Sequence, residues 1–115
     1  MRYQTQCTKI KLKPDSLERV REWARTLNET RRAEALATLR DETVVLEAAF
    51  LDQASDGDYL IYIMKAASFE KSREAAAAST HDIDRYHQDV KRSTWEGRKE
   101  LELLVDLDTI DEISE

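Results

Sequence analysis

At 115 residues, with 41% hydrophobic and 37% charged side chains, the chain has the size and balance of one globular domain. No apolar run approaches the roughly 20 residues of a membrane span, and the longest, VVLEAAFL, is interrupted by Glu47. The net charge of −6 disfavours nucleic acid, whose phosphates are bound by neutralising Lys and Arg.

That charge is unevenly spread: residues 1–40 carry ten Lys/Arg against five Asp/Glu, and residues 41–115 carry eight against nineteen. The basic residues alternate with apolar ones, as in complementary halves of one fold, and do not form a block. The N-terminal MRYQTQCTKIKLK lacks the apolar core of a secretory signal, and the lone Cys7 has no disulfide partner within the chain. Both features predict a cytoplasmic protein. Cys7 sits in a strand pattern with no base nearby in sequence, so it is not a candidate nucleophile.

The chain opens with a strand, QTQCTKIKLK, which places Thr8, Ile10 and Leu12 on one face and Cys7, Lys9 and Lys11 on the other. Pro14 ends it, and Asp15 and Ser16 are cap candidates for a helix with Leu17, Val20, Ala24 and Leu27 along one stripe and Trp23 flanking it. NETRRAEALATLRDE continues that helix or restarts it near Asn28–Thr30, with Leu36 and Leu39 facing inward. TVVLEAAFL and DYLIYIMKA read as a hairpin joined by the turn at Ser55–Gly57. Ser68 caps the next helix, SFEKSREAAAAS. A further helix covers Ser79–Trp95, with Ile83, His87, Val90 and Thr94 on its apolar stripe and Gly97 at its end. ELELLVDL is predicted as the last strand, and residues 109–115 form an acidic tail.

The order β-α-β-β-α-β specifies a ferredoxin-like α+β fold in one domain over residues 1–115, with strands ordered 4-1-3-2 and the helices on one sheet face. Lys9 and Lys11 should then pair across strands with Glu100 and Glu102 on the opposite face. That second face also receives Glu47 and either Tyr62 with Met64 or Tyr59 with Ile61. A face mixing charges with large apolar groups is rarely left in water, and a second copy of the chain is the economical cover.

Three stretches, KIKLKPDSLERVREWARTLN, LRDETVVLEAAFLDQASDGDYLIYIMKAASFEKSRE and STHDIDRYHQDVKRSTW, resemble an uncharacterised prokaryotic family among the dimeric α+β barrel proteins. These are relatives of the antibiotic-biosynthesis monooxygenases. The resemblance covers roughly residues 5–108 and is most distinctive at GDYLIYIM and in the SxHxIDxYH run. It implies a homodimer paired sheet against sheet, with a pocket in each subunit between sheet and helices. Superfamily members include cofactor-independent monooxygenases, haem-degrading enzymes, lactone isomerases, sugar mutarotases and proteins without known activity. The resemblance assigns no reaction and no catalytic residue to this chain.

Within the quoted stretch, His81, Asp84 and His87 are three apart on a helix, so Asp84 can reach both imidazoles if the helix is regular. No motif of the HExxH kind accompanies them, and the sequence assigns no metal and no cofactor. With Gly57 and Gly97 the only glycines, there is no phosphate-cradling loop. One reading is purely structural: Ser79, Thr80 and Asp82 compete to cap the helix, Asp82 and Asp84 suit its positive end, and His87 fills the apolar stripe. The other makes His87 the catalytic candidate in a pocket with Tyr59, Tyr62, Asp84, Tyr86 and His81, contacting or deprotonating a small, partly apolar molecule. Trp23 and Trp95 read as core or interface anchors. RNA binding shares the element order but needs exposed strand aromatics and a basic surface, which the chain lacks. What remains is either a small-molecule binder or converter, monooxygenase-like or isomerase-like if an enzyme, or a structural or regulatory dimer.

Overall fold

Alternation along the first strand decides where the core lies. In the computed structural model, which describes residues 2–110, β1 (Gln4–Leu12) turns Ile10 and Leu12 inward, where they are 1% and 4% exposed. The chain then runs α1 (Leu17–Arg25), a π-helical turn (Thr26–Thr30), α2 (Arg32–Asp41), β2 (Val44–Ala54), β3 (Gly57–Ala66), α3 (Phe69–Ala78), α4 (Asp82–Thr94) and β4 (Trp95–Glu100). The sheet is antiparallel throughout, in the order β2-β3-β1-β4. This is the ferredoxin-like α+β topology expected from the order of elements. Val20 and Trp23 of α1 and Val90 of α4 close over Ile10, Leu12, Leu60 and Tyr62 to form the core. Each large side chain so buried contributes roughly 1.5–3 kcal/mol.

Among the described residues, one helix start follows local side-chain chemistry. The Ser68 hydroxyl accepts the Lys71 N–H at 3.2 Å and caps α3 as expected. Ser16 occupies the N-cap of α1 and His81 that of α4, neither with a side-chain cap bond. The two-residue loop Ser55–Asp56 closes the β2–β3 hairpin, and Gly57 takes φ 144°, a conformation that disfavours a side chain. The helical run from α1 is broken by the π turn, which ends when Arg31 N–H bonds Thr26 C=O at 2.8 Å.

The last strand departs from expectation. β4 covers Trp95–Glu100, not ELELLVDL, and Gly97 lies inside it opposite Lys11. The α4–β4 junction is a direct turn: Lys13 N–H bonds Thr94 C=O at 2.7 Å, which leaves no room for a loop. This earlier start changes the register. Lys9 faces Lys99, and Glu100 faces Thr8 on the helix side, so the expected Lys9/Lys11–Glu100/Glu102 ladder does not form. Glu47 and Tyr62 are likewise on the helix side, since Glu47 pairs with Met64 and Ala49 with Tyr62. The other face receives Tyr59, Ile61 and Ile63 with Lys9 and Lys11, and Phe50 stands 60% exposed.

Beyond β4, residues 101–109 run on outside any strand, joined to β1 at first by Leu101 N–H to Cys7 C=O. This strap then holds Lys65, whose ammonium meets Asp106 at 2.9 Å and Asp108 at 2.5 Å, while Thr5 donates to Asp106 at 2.8 Å. Lys65 is only 7% exposed. Leu103, Leu104, Val105 and Leu107 of the strap are exposed. Of the acidic tail read at 109–115, residues 111–115 lie outside the described range.

Candidate functional site

Where the helices diverge from the sheet a cavity of about 530 Å³ opens between them, reached by β1, β2, β3, β4, α2 and α4. Tyr62 is its floor. The ring is 6% exposed, with Trp23 tilted against it at 6.2 Å and Trp95 edge-on at 6.1 Å. Tyr62 Oη donates to Glu47 Oε1 from the neighbouring strand. Burial raises the Glu47 carboxyl above its usual range, although the tyrosine hydrogen bond acts the other way. Burial and the adjoining carboxylate push the Tyr62 phenol well above its ordinary value.

The helical wall adds further titratable groups. Glu42, just past α2, is pushed up to about 7 by burial first, and then by repulsion from Asp84, Glu47 and Asp41. Lys91 is driven down by burial, and it acts as counter-ion to Glu47, Glu42 and Asp84. Its ammonium also lies over the Trp95 ring, 5.0 Å from the centroid. Removing a base and an acid from water beside one another draws their proton affinities together, as general acid–base sites require. Arg98, Glu100 and Gln6 line the end of the cavity at β1 and β4, where Gln6 donates to Glu100.

His87 lines this cavity, on the α4 stripe where the spacing of Ile83 and Val90 places it. Trp23 Nε1–H donates to its Nδ1 at 3.0 Å. Burial and the Lys91 charge lower its pKa to about 3, so the imidazole is neutral.

The remaining expected residues divide. Asp84 and His81 line the cavity, but Asp84 orients neither histidine: its Oδ2 accepts the Ser79 hydroxyl, and His81 Nε2 meets Asp41 at 2.9 Å instead. The helix starts only at Asp82, so the i,i+3 geometry back to His81 is not realised. Tyr59 is outside the site, on the opposite sheet face, where its hydroxyl bonds Asp56 at 2.8 Å and Lys9 covers its ring. Tyr86 projects from another side of α4, bonded to Thr26 at 3.3 Å. Glu42, Lys91 and Arg98 line the cavity although the sequence pattern does not single them out, and Glu47 faces the helices and not the outer face expected of it. The signal for Lys91 is its place one helical turn after His87; Glu47 requires the β2–β3 register. Among the described residues, no group of three or more His, Cys, Asp and Glu side chains is placed to hold a metal ion.

Solved structures share this architecture. A protein of Nitrosomonas europaea assigned as an antibiotic biosynthesis monooxygenase superposes with a TM-score of 0.53 at 15% identity, over 86% of this chain and 85% of its own. PA3566 of Pseudomonas aeruginosa gives 0.52 at 16% identity, over 88% and 93%. Rv0793 of Mycobacterium tuberculosis gives 0.52 at 15% identity, over 93% and 100%. At such identities the likeness establishes the shared ferredoxin-like α+β fold. No curated protein matches the sequence. The profile that does match spans residues 3–112, and the chain belongs to that family, DUF6176, a family of unknown function.

Proposed function

We propose that the protein is a cytoplasmic homodimer that binds, and by proton transfer converts, a small, partly apolar molecule in the cavity between sheet and helices. The observation that carries this reading is the Glu47–Tyr62 pair at the floor of a 530 Å³ cavity. A carboxyl raised by burial is a poor choice for stability and a good one for taking up and returning a proton. The walls suit a ligand of mixed character: Trp95, Ile83 and Leu27 are apolar, while Lys91, Gln88 and Arg98 are polar. In this reading Glu47 takes up and returns a proton, the Tyr62 hydroxyl steadies its ionised form, and Lys91 supplies compensating charge. An isomerase-like reaction needs nothing more, since the proton removed is the proton returned. A monooxygenase-like reaction would use the same deprotonation as its first step.

Dimer formation through the outer sheet face is supported by the apolar groups it leaves in water, Phe50 at 60%, Val45 at 47% and Leu46 at 44% exposure. A structural or regulatory dimer would use that face equally, but it gives no role to Glu42 and Glu47, which are held at a cost on the other side. Native mass spectrometry of the protein purified without denaturant tests both halves. The reading expects twice the chain mass, with a small molecule retained by wild type and lost from Glu47→Gln. A monomer refutes the dimer. A small molecule held equally by wild type and variant refutes the Glu47 site.

A further inference from the structure

We propose that His87 serves the cavity as a fixed, neutral hydrogen-bond donor, held in its Nε2–H form by Trp23, and that it selects ligands bearing a carbonyl oxygen. The inference rests on the pocket reading above. An indole N–H can only donate, so the 3.0 Å bond from Trp23 Nε1 requires an unprotonated lone pair on His87 Nδ1. The single proton of a neutral imidazole must then sit on Nε2. The two rings are inclined by only 19°, so N–H and lone pair, each lying in its ring plane, can point at one another. Trp23 is 5% exposed and fixed in the core, so the donor cannot swing away.

The other nitrogen is free for a ligand. His87 Nε2 has no hydrogen-bond partner among the described residues. Among the described residues, every fully buried side-chain N or O atom has one, so Nε2 is not sealed in the core but opens on the cavity that His87 lines. The ring's pKa, lowered to about 3, keeps it neutral through the physiological range. This excludes the imidazole as the general base: Nδ1 is occupied, and Nε2 already carries a proton. An uncharged donor favours a neutral acceptor such as a ketone or ester carbonyl. With Glu47 on the same cavity, a proton leaves the carbon beside that carbonyl for the Glu47 carboxylate. The C–H electron pair becomes a C=C bond, and the carbonyl pair moves onto the oxygen, where Nε2–H stabilises it. Where the ligand carries a C=C bond between its β and γ carbons, return of the proton from Glu47 to the γ carbon re-forms the carbonyl and moves the C=C bond to the α,β position, an isomerisation with no other reactant. Trp23 is thus a positioning residue acting through His87.

Two measurements on the full chain test this. Nitrogen-15 NMR of the histidine rings near pH 6 should show His87 as the neutral Nε2–H form in wild type, and a mixture of tautomers in Trp23→Phe. An Nδ1–H or doubly protonated His87 in wild type overturns the proposal while leaving the pocket reading intact. Binding is then compared for acetophenone and α-methylstyrene, which differ by C=O against C=CH2. Wild type should prefer the ketone by about tenfold, the worth of one hydrogen bond, and His87→Phe should bind the two within about twofold. An equal preference in wild type, or a tenfold preference surviving in His87→Phe, overturns the assigned ligand class. Uptake of neither probe overturns the pocket reading itself.

Discussion

Glu42→Gln should make the protein more stable above neutral pH. The Glu42 carboxyl is raised from 4.5 to about 7 in the folded chain, chiefly by burial. Between these values the unfolded chain has released this proton and the folded chain has not. Stability therefore falls as pH rises through the interval and levels off above about 7. The full interval corresponds to about 3 kcal/mol at 1.36 kcal/mol per pH unit. The side chain is only half-buried, and solvent screening reduces the expected effect to about 1–2 kcal/mol. Glutamine keeps the shape and cannot ionise, so the gain should appear at alkaline pH and vanish near pH 4.5. For a chain of this length the change is about 5 °C in Tm. Thermal unfolding of both proteins, followed from about pH 4.5 to pH 8.5, measures it as a difference that removes contributions from groups not coupled to Glu42. A Glu42→Gln protein less stable than wild type at pH 8, or a difference that does not change with pH, would falsify the claim that burial opposes this charge. A stability gain accompanied by loss of ligand binding would identify Glu42 as a residue retained for use.

Other expected outcomes concern the strap, the hairpin and the outer face. Lys65→Met removes the group that holds Asp106 and Asp108, so amide hydrogen exchange over residues 101–110 should quicken while the amides of β3 stay protected. Unchanged exchange would mean that the strap is held by other contacts. Gly57→Ala places a side chain at φ 144° and should cost about 1 kcal/mol or more in chemical denaturation, although the nearest atom a Cβ would meet, Lys11 Cε, is 3.9 Å away. A loss below about 0.3 kcal/mol would show that the turn relaxes. Phe50→Asp should yield a folded monomer by sedimentation, because it puts a charge on the exposed apolar face opposite the cavity. A dimer of undiminished affinity would place the interface elsewhere.

The fold was readable because three signals agreed: the alternation of Thr8, Ile10 and Leu12, the turn at Ser55–Gly57, and the helical stripe of Ile83, His87 and Val90. The last strand was misplaced because ELELLVDL alternates better than WEGRKE, yet pairing with β1 is fixed by the direct α4–β4 junction. Local pattern cannot register a constraint set by a bond from Lys13 to Thr94. The site was half legible for a related reason. His87 lies in the wall where the helical period places it, whereas Tyr62, which the sequence leaves open to either sheet face, forms the floor. β3 is apolar on both faces, so its sequence does not say whether Tyr59 or Tyr62 points at the helices, and Glu47 follows whichever is chosen. The pairing of Ala54 with Gly57 resolves it, since counting back along the hairpin sets Ala49 beside Tyr62. A helix regular back to His81 would let Asp84 reach both imidazoles, but the helix starts at Asp82. Asp84 accepts from Ser79, and His87 Nδ1 takes its hydrogen bond from the α1 indole.

The central claim, that the Glu47–Tyr62 pair forms the floor of a ligand site, is tested most directly by a carbonyl-rich fragment library screened by thermal shift. Wild type should yield compounds that raise Tm, and Glu47→Gln and Tyr62→Phe, each shown to be folded, should lose that response. Stabilisation of equal size in both variants, or none in wild type across the library, would contradict it.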